Sequence, residues 1–525
     1  MTKPYDAIVI GAGSNGLVTA AYLARAGWKV LVVERRNVLG GVGAVEEFAP
    51  GFRADAALGM VWIPRPVIDD LKLRQHGLGI AASNPTVFAP LLGGDHLLLW
   101  QEVGQSAEAI RRFSTRDADR WPAFCAFVRK VAALLEAAYL TTPPNGLNPS
   151  LGEMPALADL ALRLRRMGDR DMMETLRILP MSAQEFLDDW FESDALKGTL
   201  GMDAVRNLRQ GPRSAGTTFN FLHHQVGNPE GRFRALIRTG RPLPDVLADA
   251  ARAFGAEIRA GAGVVQIVIR DGQAVGVVLE DGEEVAARRI VSSADPAHTF
   301  LRLVDPLELS PDFIGKVRNI KFRGATAVVH LALGERPDFP ALPGDGPHLR
   351  GTISISPDLT YLERAYDAAK YGEMSEQPAL EITIPSLSDP AVAPQGKHVM
   401  AIRAQFAPYH LRDGSWDGAK REELLDAVLD ILDDVAPNVR GAILGQRVIT
   451  PLDFEQSYGL TEGSLNHGEM MLDQLYLMRP VPGWAQYRTP IDGLYLCGAG
   501  AHPGGGVIGA PAYNAAREIV RGGRG

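Results

Sequence analysis

The first forty residues carry two short apolar runs separated by a glycine-rich turn and a helical segment. Tyr5 to Ile10 is mainly apolar, as in a buried parallel strand, and Lys29 to Glu34 repeats that pattern. Between them, the letters G-A-G-S-N-G at 11–16 precede Leu17 to Ala26, which has the composition of a helix. This order predicts a complete βαβ unit.

A second patterned region lies between residues 243 and 291. Leu243 to Phe254 predicts a helix, and Glu257 to Ala260 predicts a strand. Asp-Gly dipeptides at 271–272 and 281–282 then mark two tight turns, because glycine tolerates positive φ. The strands that these turns connect, Val264 to Arg270, Ala274 to Glu280 and Glu284 to Val291, are expected to form a β-meander.

The C-terminal residues return to the pattern of the first forty. Gly493 to Cys497 predicts a strand, Gly498 to Pro511 is rich in glycine, and Ala512 to Val520 predicts a helix. Two long stretches separate the patterned regions. The first is mostly helical in pattern, and the second mixes strands with helices. We therefore predict an α/β fold (α+β overall) in which a discontinuous Rossmann-type domain, residues 1–70, 240–298 and 485–525, is interleaved with a mixed α/β substrate-binding domain, residues 71–239 and 299–484.

Composition narrows the functional classes. The chain of 525 residues has a net charge of −8 and scattered basic residues, which argues against a nucleic-acid partner. Its two cysteines, Cys125 and Cys497, are far apart, as expected in a reducing compartment, and they form no local redox pair. No signal-peptide pattern opens the sequence, and glycines interrupt the apolar stretch from Ala7 to Ala26. We expect a cytoplasmic protein without a metal site.

The glycine spacing in the first turn predicts a dinucleotide ligand. G-x-G-x-x-G lies between a strand and a helix, which is the context that this motif requires. Gly11 permits the tight turn, Gly13 lets the backbone approach a pyrophosphate, and Gly16 allows the helix to pack closely on the strand. The helix N-terminus supplies N–H groups and a positive dipole end. The residues expected at the phosphates are Gly11, Ala12, Gly13, Ser14, Asn15 and Gly16.

The residues after the second strand favour FAD over a nicotinamide cofactor. Glu34 ends that strand, where a carboxylate accepts hydrogen bonds from a ribose diol, and Arg35 adjoins it. Gly40-Gly41 follows, as in FAD proteins that bring a second backbone loop to the pyrophosphate. A second nucleotide fold is absent in mid-chain, because the glycines at 261 and 263 lead directly into a strand. A dedicated NAD(P)H site is not expected.

The glycine-rich tail offers a second part of the same site. In C-G-A-G-A-H-P-G-G-G-V-I-G-A-P, beginning at Cys497, backbone N–H groups and a helix N-terminus can face a ligand. The pyrimidine edge of a flavin gains negative charge on reduction, and donors placed there stabilise it. The alternative is a surface loop that only leads into a C-terminal helix. The apolar strand before the loop favours the flavin interpretation.

With these segments in place, the chain resembles the phytoene-dehydrogenase-like flavoproteins of the wider flavin amine oxidase superfamily. The resemblance spans essentially the whole chain, from V-I-G-A-G-S-N-G-L-V at 9 through L-H-H-Q-V-G at 222 and S-S-A-D-P at 292 to G-L-Y-L-C-G-A-G-A-H-P-G-G-G-V at 493. It implies FAD and redox or isomerase chemistry at C–C bonds. The residues that it implies at the cofactor are Gly11, Gly13, Gly16, Glu34, Gly40, Gly41, Val265, Ala294, Gly498, Ala499, Val507 and Ile508.

Two positions depart from the family pattern. Relatives usually carry G-G-M-G before the mid-chain helix, whereas this chain has R-T-G-R-P at 238–242. Relatives often have threonine before His-Pro-Gly, whereas this chain has Ala501. Both positions are expected near the flavin, so the resemblance leaves open a changed cofactor contact or a changed reaction.

Dehydrogenation needs a hydride acceptor, which flavin N5 supplies, and in some enzymes a base. His502 adjoins the flavin loop and is the first catalytic candidate; His467 and Glu469, in N-H-G-E, are the next. The pair His223-His224 is weaker. Each of these histidines is more often a hydrogen-bonded structural residue. Tyr458 is a candidate for the pocket wall, where an aromatic residue is more often core.

Three functions remain open at this stage. The first is an FAD-dependent dehydrogenase, desaturase or saturase that acts on a small, apolar organic molecule. The second is a flavin amine or alcohol oxidase that reduces O2, for which Lys321 is the candidate lysine near N5. The third is an isomerase or a non-catalytic flavoprotein. An apolar pocket without a buried acid would favour the first.

A basic run in the first long stretch bears on how the substrate is collected. Arg163, Arg165, Arg166 and Arg170 lie beside leucines and a methionine. Such a segment can rest on a membrane surface and take up a lipid-like substrate. The more common arrangement is a solvated helix face.

Overall fold

The computed structural model describes residues 4–58, 62–91, 93–145, 153–227, 237–238 and 241–522. A five-stranded parallel sheet joins the three segments of the predicted Rossmann-type domain, residues 1–70, 240–298 and 485–525. We call these three ranges the nucleotide-like segments because the sequence predicts that they bind the dinucleotide. Four strands of the sheet are buried throughout, as is usual for parallel sheets covered by helices, and the edge strand Glu257–Arg259 is partly exposed. In spatial order the five strands are Leu494–Leu496, Ile290–Ser292, Ala7–Ile10, Val30–Val33 and Glu257–Arg259. Three helices pack together beside it: Ser14–Arg25, Leu243–Ala253 and Ala510–Gly522.

The predicted meander is present, with one correction. Val264–Arg270, Gln273–Leu279 and Glu284–Ala286 pair as antiparallel neighbours. The last predicted strand is divided, because Ile290–Ser292 leaves the meander and pairs in parallel with Ala7–Ile10. Its fully apolar and buried Ile290 and Val291 are suited to a central parallel strand rather than to a half-exposed meander.

A seven-stranded sheet forms the second layer. Alternate residues of its central strands point to opposite faces. Leu380, Ile382, Met400 and Ile402 pack with the helix Gly418–Val435 in one apolar cluster. The opposite face carries buried polar groups. In spatial order the strands are Ile443–Ile449, Thr326–Leu333, His398–Gln405, Ala379–Thr383, Thr352–Ile355, Val87–Pro90 and His96–Leu99.

The hairpin Glu46–Ala49 and Phe52–Ala54, although it follows the βαβ unit directly, packs on the seven-stranded sheet against Ala332 and Val399. The chain thus crosses between the two sheets within residues 1–70. Two short strands, Ala81–Ala82 and Ile237–Arg238, pair in antiparallel orientation as a separate two-stranded sheet.

Helices cover the seven-stranded sheet and fill the first long stretch. Trp121, Phe124, Phe186, Phe191 and Phe221 form an aromatic cluster at their centre. Among the residues described, no helix combines the length and apolar character needed to cross a membrane. The remaining helices are Arg65–Asp70, Val103–Arg111, Thr115–Tyr139, Met154–Arg166, Asp169–Ile178, Ala183–Trp190, Asp194–Val205, Thr217–His223, Pro296–His298, Pro311–Arg318, Leu359–Lys370, Asn438–Ala442 and Pro451–Tyr458.

Candidate active site

One cavity of about 550 Å³ extends from the glycine turn of the βαβ unit to the polar face of the seven-stranded sheet. We call its two parts the cofactor end and the sheet end. Predicted residues that line the cofactor end are Gly11, Gly13, Ser14, Asn15, Gly16, Glu34, Arg35, Gly40, Gly41, Ala294, Ala499, Val507 and Ile508. The sheet end is lined by Arg206, His224, Glu381, Thr383, Ala401 and Arg403.

The turn at 11–16 has the geometry that its glycines predict. Gly11 has φ +90°, which L side chains rarely adopt. A Cβ on Gly16 would lie 2.0 Å from the carbonyl oxygen of Gly11, so the helix approaches the turn as closely as backbone allows. A Cβ on Gly13 would meet no atom within 4 Å, so it would project into the space beside the helix N-terminus at Ser14. This cradle fits a pyrophosphate group.

The carboxylate of Glu34 is fixed at the edge of the turn. Its Oε2 accepts a hydrogen bond from the N–H of Ala12 at 2.8 Å, and its Oε1 accepts from the N–H of Arg36 at 2.9 Å. Each oxygen keeps a further lone pair, as a ribose diol would require. The guanidinium of Arg35 instead donates to the carbonyl oxygens of Gln456 and Ser457.

The three nucleotide-like segments meet at the cofactor end. Gly40 and Gly41 both have positive φ, and the N–H of Gly40 donates to the carbonyl of Ala12. Asn15 Oδ1 accepts a hydrogen bond from the N–H of Gly509 at 2.9 Å, which joins the first helix to the tail loop. The glycine loop therefore lies beside the phosphate cradle, as the flavin interpretation requires.

Three predicted cofactor residues do not line the cavity. Val265 is 48% exposed, and its neighbour Val264 lines the cavity instead. Gly498 serves close packing, since a Cβ there would lie 2.2 Å from the carbonyl oxygen of Ser293. Ala12 is buried behind the turn, where its N–H holds Glu34.

His502, the first catalytic candidate, lies behind the glycine loop rather than in the cavity wall. The ring is 2% exposed, packs against Tyr139 and Tyr476, and has Nε2 3.0 Å from the carbonyl oxygen of Ala138. Burial lowers the pKa of His502 to about 4. The two ring nitrogens of His223 contact the hydroxyl of Tyr139 and the carbonyl of Gly505, whereas Nδ1 of His502 has no hydrogen-bond partner in the described residues. These contacts make both histidines structural supports of the loop.

Of the four N-H-G-E residues, Asn466 and His467 line the cavity, whereas Gly468 and Glu469 do not. Nδ1 of His467 is buried and makes no hydrogen bond with any residue in the described part of the chain. Burial lowers the pKa of His467 to about 4, which keeps the ring neutral. Glu469 is 2% exposed, and neither carboxylate oxygen has a hydrogen-bond partner in the described ranges; the nearest cation is Arg323 at 3.8 Å. Burial raises the pKa of Glu469 to about 7.

Two further candidates are placed clearly. The ammonium of Lys321 is bound to Asp473 at 2.6 Å on the surface, and Lys321 does not line the cavity, so it is not a lysine at a flavin. Tyr458 does line the cavity, where the guanidinium of Arg36 lies over its ring. The lysine candidate was wrong because a loop residue before a strand gives no indication of where its side chain points.

The departures from the family pattern are only partly visible. Residues 239 and 240 lie outside the described residues, and only the backbone of Arg238 is described. Pro242 lines the cavity, whereas Arg241 is bound to Asp249 and to the carbonyl of His76. Ala501 is buried beneath the loop, where its N–H donates to the carbonyl of Gly498.

Arg479 is a functional candidate that the sequence analysis missed. Its buried guanidinium donates to backbone carbonyls of 466–469, of Gln474 and of Ala499, and so holds the N-H-G-E segment against the glycine loop. No acidic side chain pairs with it in the part of the chain that the structure describes, and burial lowers its pKa to about 9. Its place in L-M-R-P, next to a conspicuously apolar run, was the available signal.

The charged residues of the sheet end were also missed. Glu381 lies opposite Arg403 on neighbouring antiparallel strands, and Arg403 Nη1 donates to Glu381 Oε2 at 2.6 Å. Arg206, at the end of the helix Asp194–Val205, donates from Nε to the same oxygen at 2.8 Å and from Nη2 to Oε1. The alternation in A-L-E-I-T and A-I-R-A-Q, which places Glu381, Thr383, Arg403 and Gln405 on one face, was the available signal.

Comparison with known proteins agrees with this geometry. The chain is 38% identical to pyridine nucleotide-disulfide oxidoreductase domain-containing protein 2 of Rattus norvegicus, over 99% of this chain and 94% of that protein. It is 30% identical to a limonene dehydrogenase component of Castellaniella defragrans, with 99% and 95% covered. It is 26% identical to the neurosporene-forming phytoene desaturase of Rhodobacter capsulatus, with 98% and 93% covered.

A solved oxidoreductase from Methanosarcina mazei has the same fold, with a TM-score of 0.61 at 17% identity and 98% and 99% of the two chains covered. The family model described as flavin containing amine oxidoreductase matches residues 16–520, from the last glycine of the first turn to the C-terminal helix. The resemblance drawn from the motifs is confirmed. The chain belongs to the flavin-containing amine oxidoreductase family and is an FAD-dependent oxidoreductase.

Proposed function

We propose that this oxidoreductase adds or removes hydrogen at a carbon–carbon bond of a largely apolar organic molecule. The observation that carries the proposal is the single cavity that joins the phosphate cradle to the sheet end. Leu58, Leu460 and Leu465 also line it, in one apolar cluster with Ala401 of the sheet end, and would contact an apolar body. Relatives named as a limonene dehydrogenase component and as a phytoene desaturase support removal of hydrogen from a molecule of this kind.

The chain's own residues would bind the cofactor and position the substrate. Bound FAD supplies a hydride acceptor. The turn at 11–16 and Glu34 would hold the phosphates and ribose, and the glycine loop would hold the ring. His467 is neutral and lines the cavity, so its ring can accept a proton released from the substrate carbon. His467 therefore replaces His502 as the first candidate for a base.

Anaerobic visible spectra of the FAD-loaded protein test this proposal. Limonene, a soluble polyene, cyclohexylamine, a primary alcohol and NADPH are added separately. Bleaching by limonene or the polyene supports the proposal, and His467→Gln is expected to slow it at least tenfold while the exposed control His410→Gln does not. Bleaching only by the amine or alcohol, with peroxide formed in air, would establish an oxidase instead. Bleaching by NADPH would reveal a nicotinamide site, and bleaching by none would indicate an isomerase or a non-catalytic protein.

We also propose that the enzyme works in the cytoplasm and takes its substrate from a membrane surface. Both cysteines are free thiols, as expected in a reducing compartment. The helix Met154–Arg166 has no buried side chain, ends in three arginines and exposes Met154 and Leu162. Sedimentation with anionic vesicles is expected, and loss of it on Arg165→Gln/Arg166→Gln would support the contact. Equal sedimentation with neutral vesicles, or none, would contradict it.

A further inference from the structure

The exposed residues of the cavity wall show where the cavity meets solvent. Among the described residues that line it, three are exposed: Arg35, Arg53 and Ser388. Arg35 follows Glu34 at the cofactor end, where bound FAD would occupy the space beside the carboxylate that holds its ribose. Arg53 and Ser388 lie away from that end, so an opening beside them is the one that bound FAD would leave free.

Arg53 and Ser388 belong to two elements that pack against each other at the sheet end. Arg53 is the middle residue of the strand Phe52–Ala54, and Ser388 lies just before the turn Pro390–Val392. The strand contributes two residues, and the turn one, to a single apolar cluster on the seven-stranded sheet. The two exposed residues therefore lie on the two sides of one opening.

Hydrogen bonds hold the second side of this opening in place. The hydroxyl of Ser386 accepts a hydrogen bond from the N–H of Val399 at 3.1 Å, which ties this segment to the sheet. Asp389 accepts one from the N–H of Ala391 at 3.0 Å, and the N–H of Asp389 donates to the carbonyl of Pro385 at 2.9 Å. Because the backbone is held in this way, the side chains at the rim set the width of the opening.

The opening leads into the apolar part of the cavity. Val392 is buried and lines the cavity beside the rim, and Ala401 and Leu460 line it farther in. Polar side chains such as Arg53 and Ser388 can stay hydrated at the rim. An apolar molecule that passes them loses its contact with water, which favours its entry.

We infer that the substrate enters the cavity between the strand Phe52–Ala54 and the segment 385–392, and that Arg53 and Ser388 form the rim that limits the size of the molecules admitted. Entry past Arg35 does not compete, because bound FAD would occupy that side. The inference rests on the proposed function, since it assigns the entry route of the same apolar substrate.

A thiol introduced at the rim allows the opening to be narrowed after folding. The natural thiols Cys125 and Cys497 are buried, so maleimides are expected to react only with the new thiol of Ser388→Cys. N-methylmaleimide adds a small group there, and N-(1-pyrenyl)maleimide adds a large one. Ser415→Cys is the matched control, because Ser415 is exposed and does not line the cavity.

Two anaerobic rates are measured on the FAD-loaded protein. The first is bleaching of the flavin by limonene or the soluble polyene, and the second is its reduction by dithionite, which needs no C–C chemistry. The pyrenyl group on Ser388→Cys should slow both at least tenfold relative to the unlabelled variant, and the methyl group less than threefold. Labelled Ser415→Cys should match its unlabelled form, and flavin content should stay constant throughout.

Unchanged bleaching by limonene or the polyene after pyrenyl labelling of Ser388→Cys would overturn the inference and leave the proposed function intact. Slower bleaching with unchanged reduction by dithionite would still support the entry route of the substrate. Where neither organic molecule bleaches the unlabelled protein, slower reduction by dithionite would support the opening and contradict only the proposed reaction, and unchanged reduction would contradict both. Equal slowing in labelled Ser415→Cys would also overturn the inference.

Discussion

The two ends of the cavity are lined by different chemical groups. At the cofactor end, glycines and backbone N–H groups form much of the wall, and two backbone N–H groups hold the carboxylate of Glu34 there. At the sheet end, the wall consists of long charged side chains brought together from a helix end and two strands. Binding of a cofactor by backbone groups depends on the φ angles of the turn and on how closely the backbone can approach the ligand. The local spacing of glycines determines both. A side-chain wall depends on which strands become neighbours, and no local spacing encodes that.

The largest effect is expected from a side chain that occupies the phosphate-binding space of the turn at 11–16 without changing the backbone of the turn. In Gly13→Val the new Cβ meets no protein atom within 4 Å, so folding is expected to persist while the pyrophosphate is excluded. We expect FAD affinity to fall about a thousandfold, or about 4 kcal/mol. Flavin absorbance per protein after reloading measures this, with circular dichroism as the check on folding.

A matched control uses the same substitution where no cofactor is expected. Gly315, in the helix Pro311–Arg318, also has open space around a Cβ, and Gly315→Val should retain full flavin content. Gly16→Val should lose both flavin and folding, because its Cβ would overlap the carbonyl of Gly11. Full flavin content in Gly13→Val would show that the pyrophosphate does not bind against the backbone at Gly13.

The sequence predicted the cofactor end well and the sheet end hardly at all, for the same physical reason. Strand, turn, helix and Glu34 are contiguous, so their pattern survives in one sequence. Glu381 and Arg206 lie 175 residues apart and meet only because of the tertiary fold. The buried Glu381 in the wall also means that the cavity is not the apolar pocket without a buried acid that would by itself have favoured a dehydrogenase over an oxidase. His502 was adjacent in sequence to the right loop, but its side chain points away from the cavity.

Arg479 is a charged side chain that holds backbone segments in place near the cofactor end, so its substitution tests the effect of a buried positive charge there. Arg479→Met removes a buried cation and leaves several carbonyl oxygens without a donor. We expect an apparent loss of about 3 kcal/mol in unfolding free energy. The flavin midpoint potential should fall by about 30 mV, since reduction adds negative charge.

Arg479→Lys separates the two effects. Lysine keeps the positive charge but cannot reach the carbonyls of both segments, so stability should fall while the potential stays near that of the wild type. Redox titration of the bound flavin and thermal unfolding measure the two quantities on the same samples. An unchanged potential in Arg479→Met would mean that this cation acts only on folding.

The buried carboxyl group of Glu469 is expected to make the free energy of unfolding depend on pH. Its pKa is raised from 4.5 to about 7 by burial, so the folded protein binds more protons than the unfolded chain between these values. The contribution of Glu469 to stability is therefore highest below 4.5 and falls as the pH rises to about 7. Glu469→Gln does not titrate, so it should be about 3 kcal/mol more stable than the wild type at pH 8 and nearly equal to it at pH 4.5. Denaturant unfolding at the two pH values measures it; a constant difference would mean that Glu469 does not titrate there.

The smallest effect is expected at Val265, which the family resemblance assigned to the cofactor but whose side chain is half exposed. Val265→Ala should change FAD affinity less than about twofold, or less than about 0.5 kcal/mol, because the half-exposed side chain of Val265 does not line the cavity. Val264→Ala, one residue earlier, removes a side chain that lines the cavity and should weaken FAD binding more. Titration of both apo-proteins with FAD decides between them. A larger effect at Val265 would mean that a side chain recognises the cofactor at this position, and the contrast between a backbone end and a side-chain end would fail there.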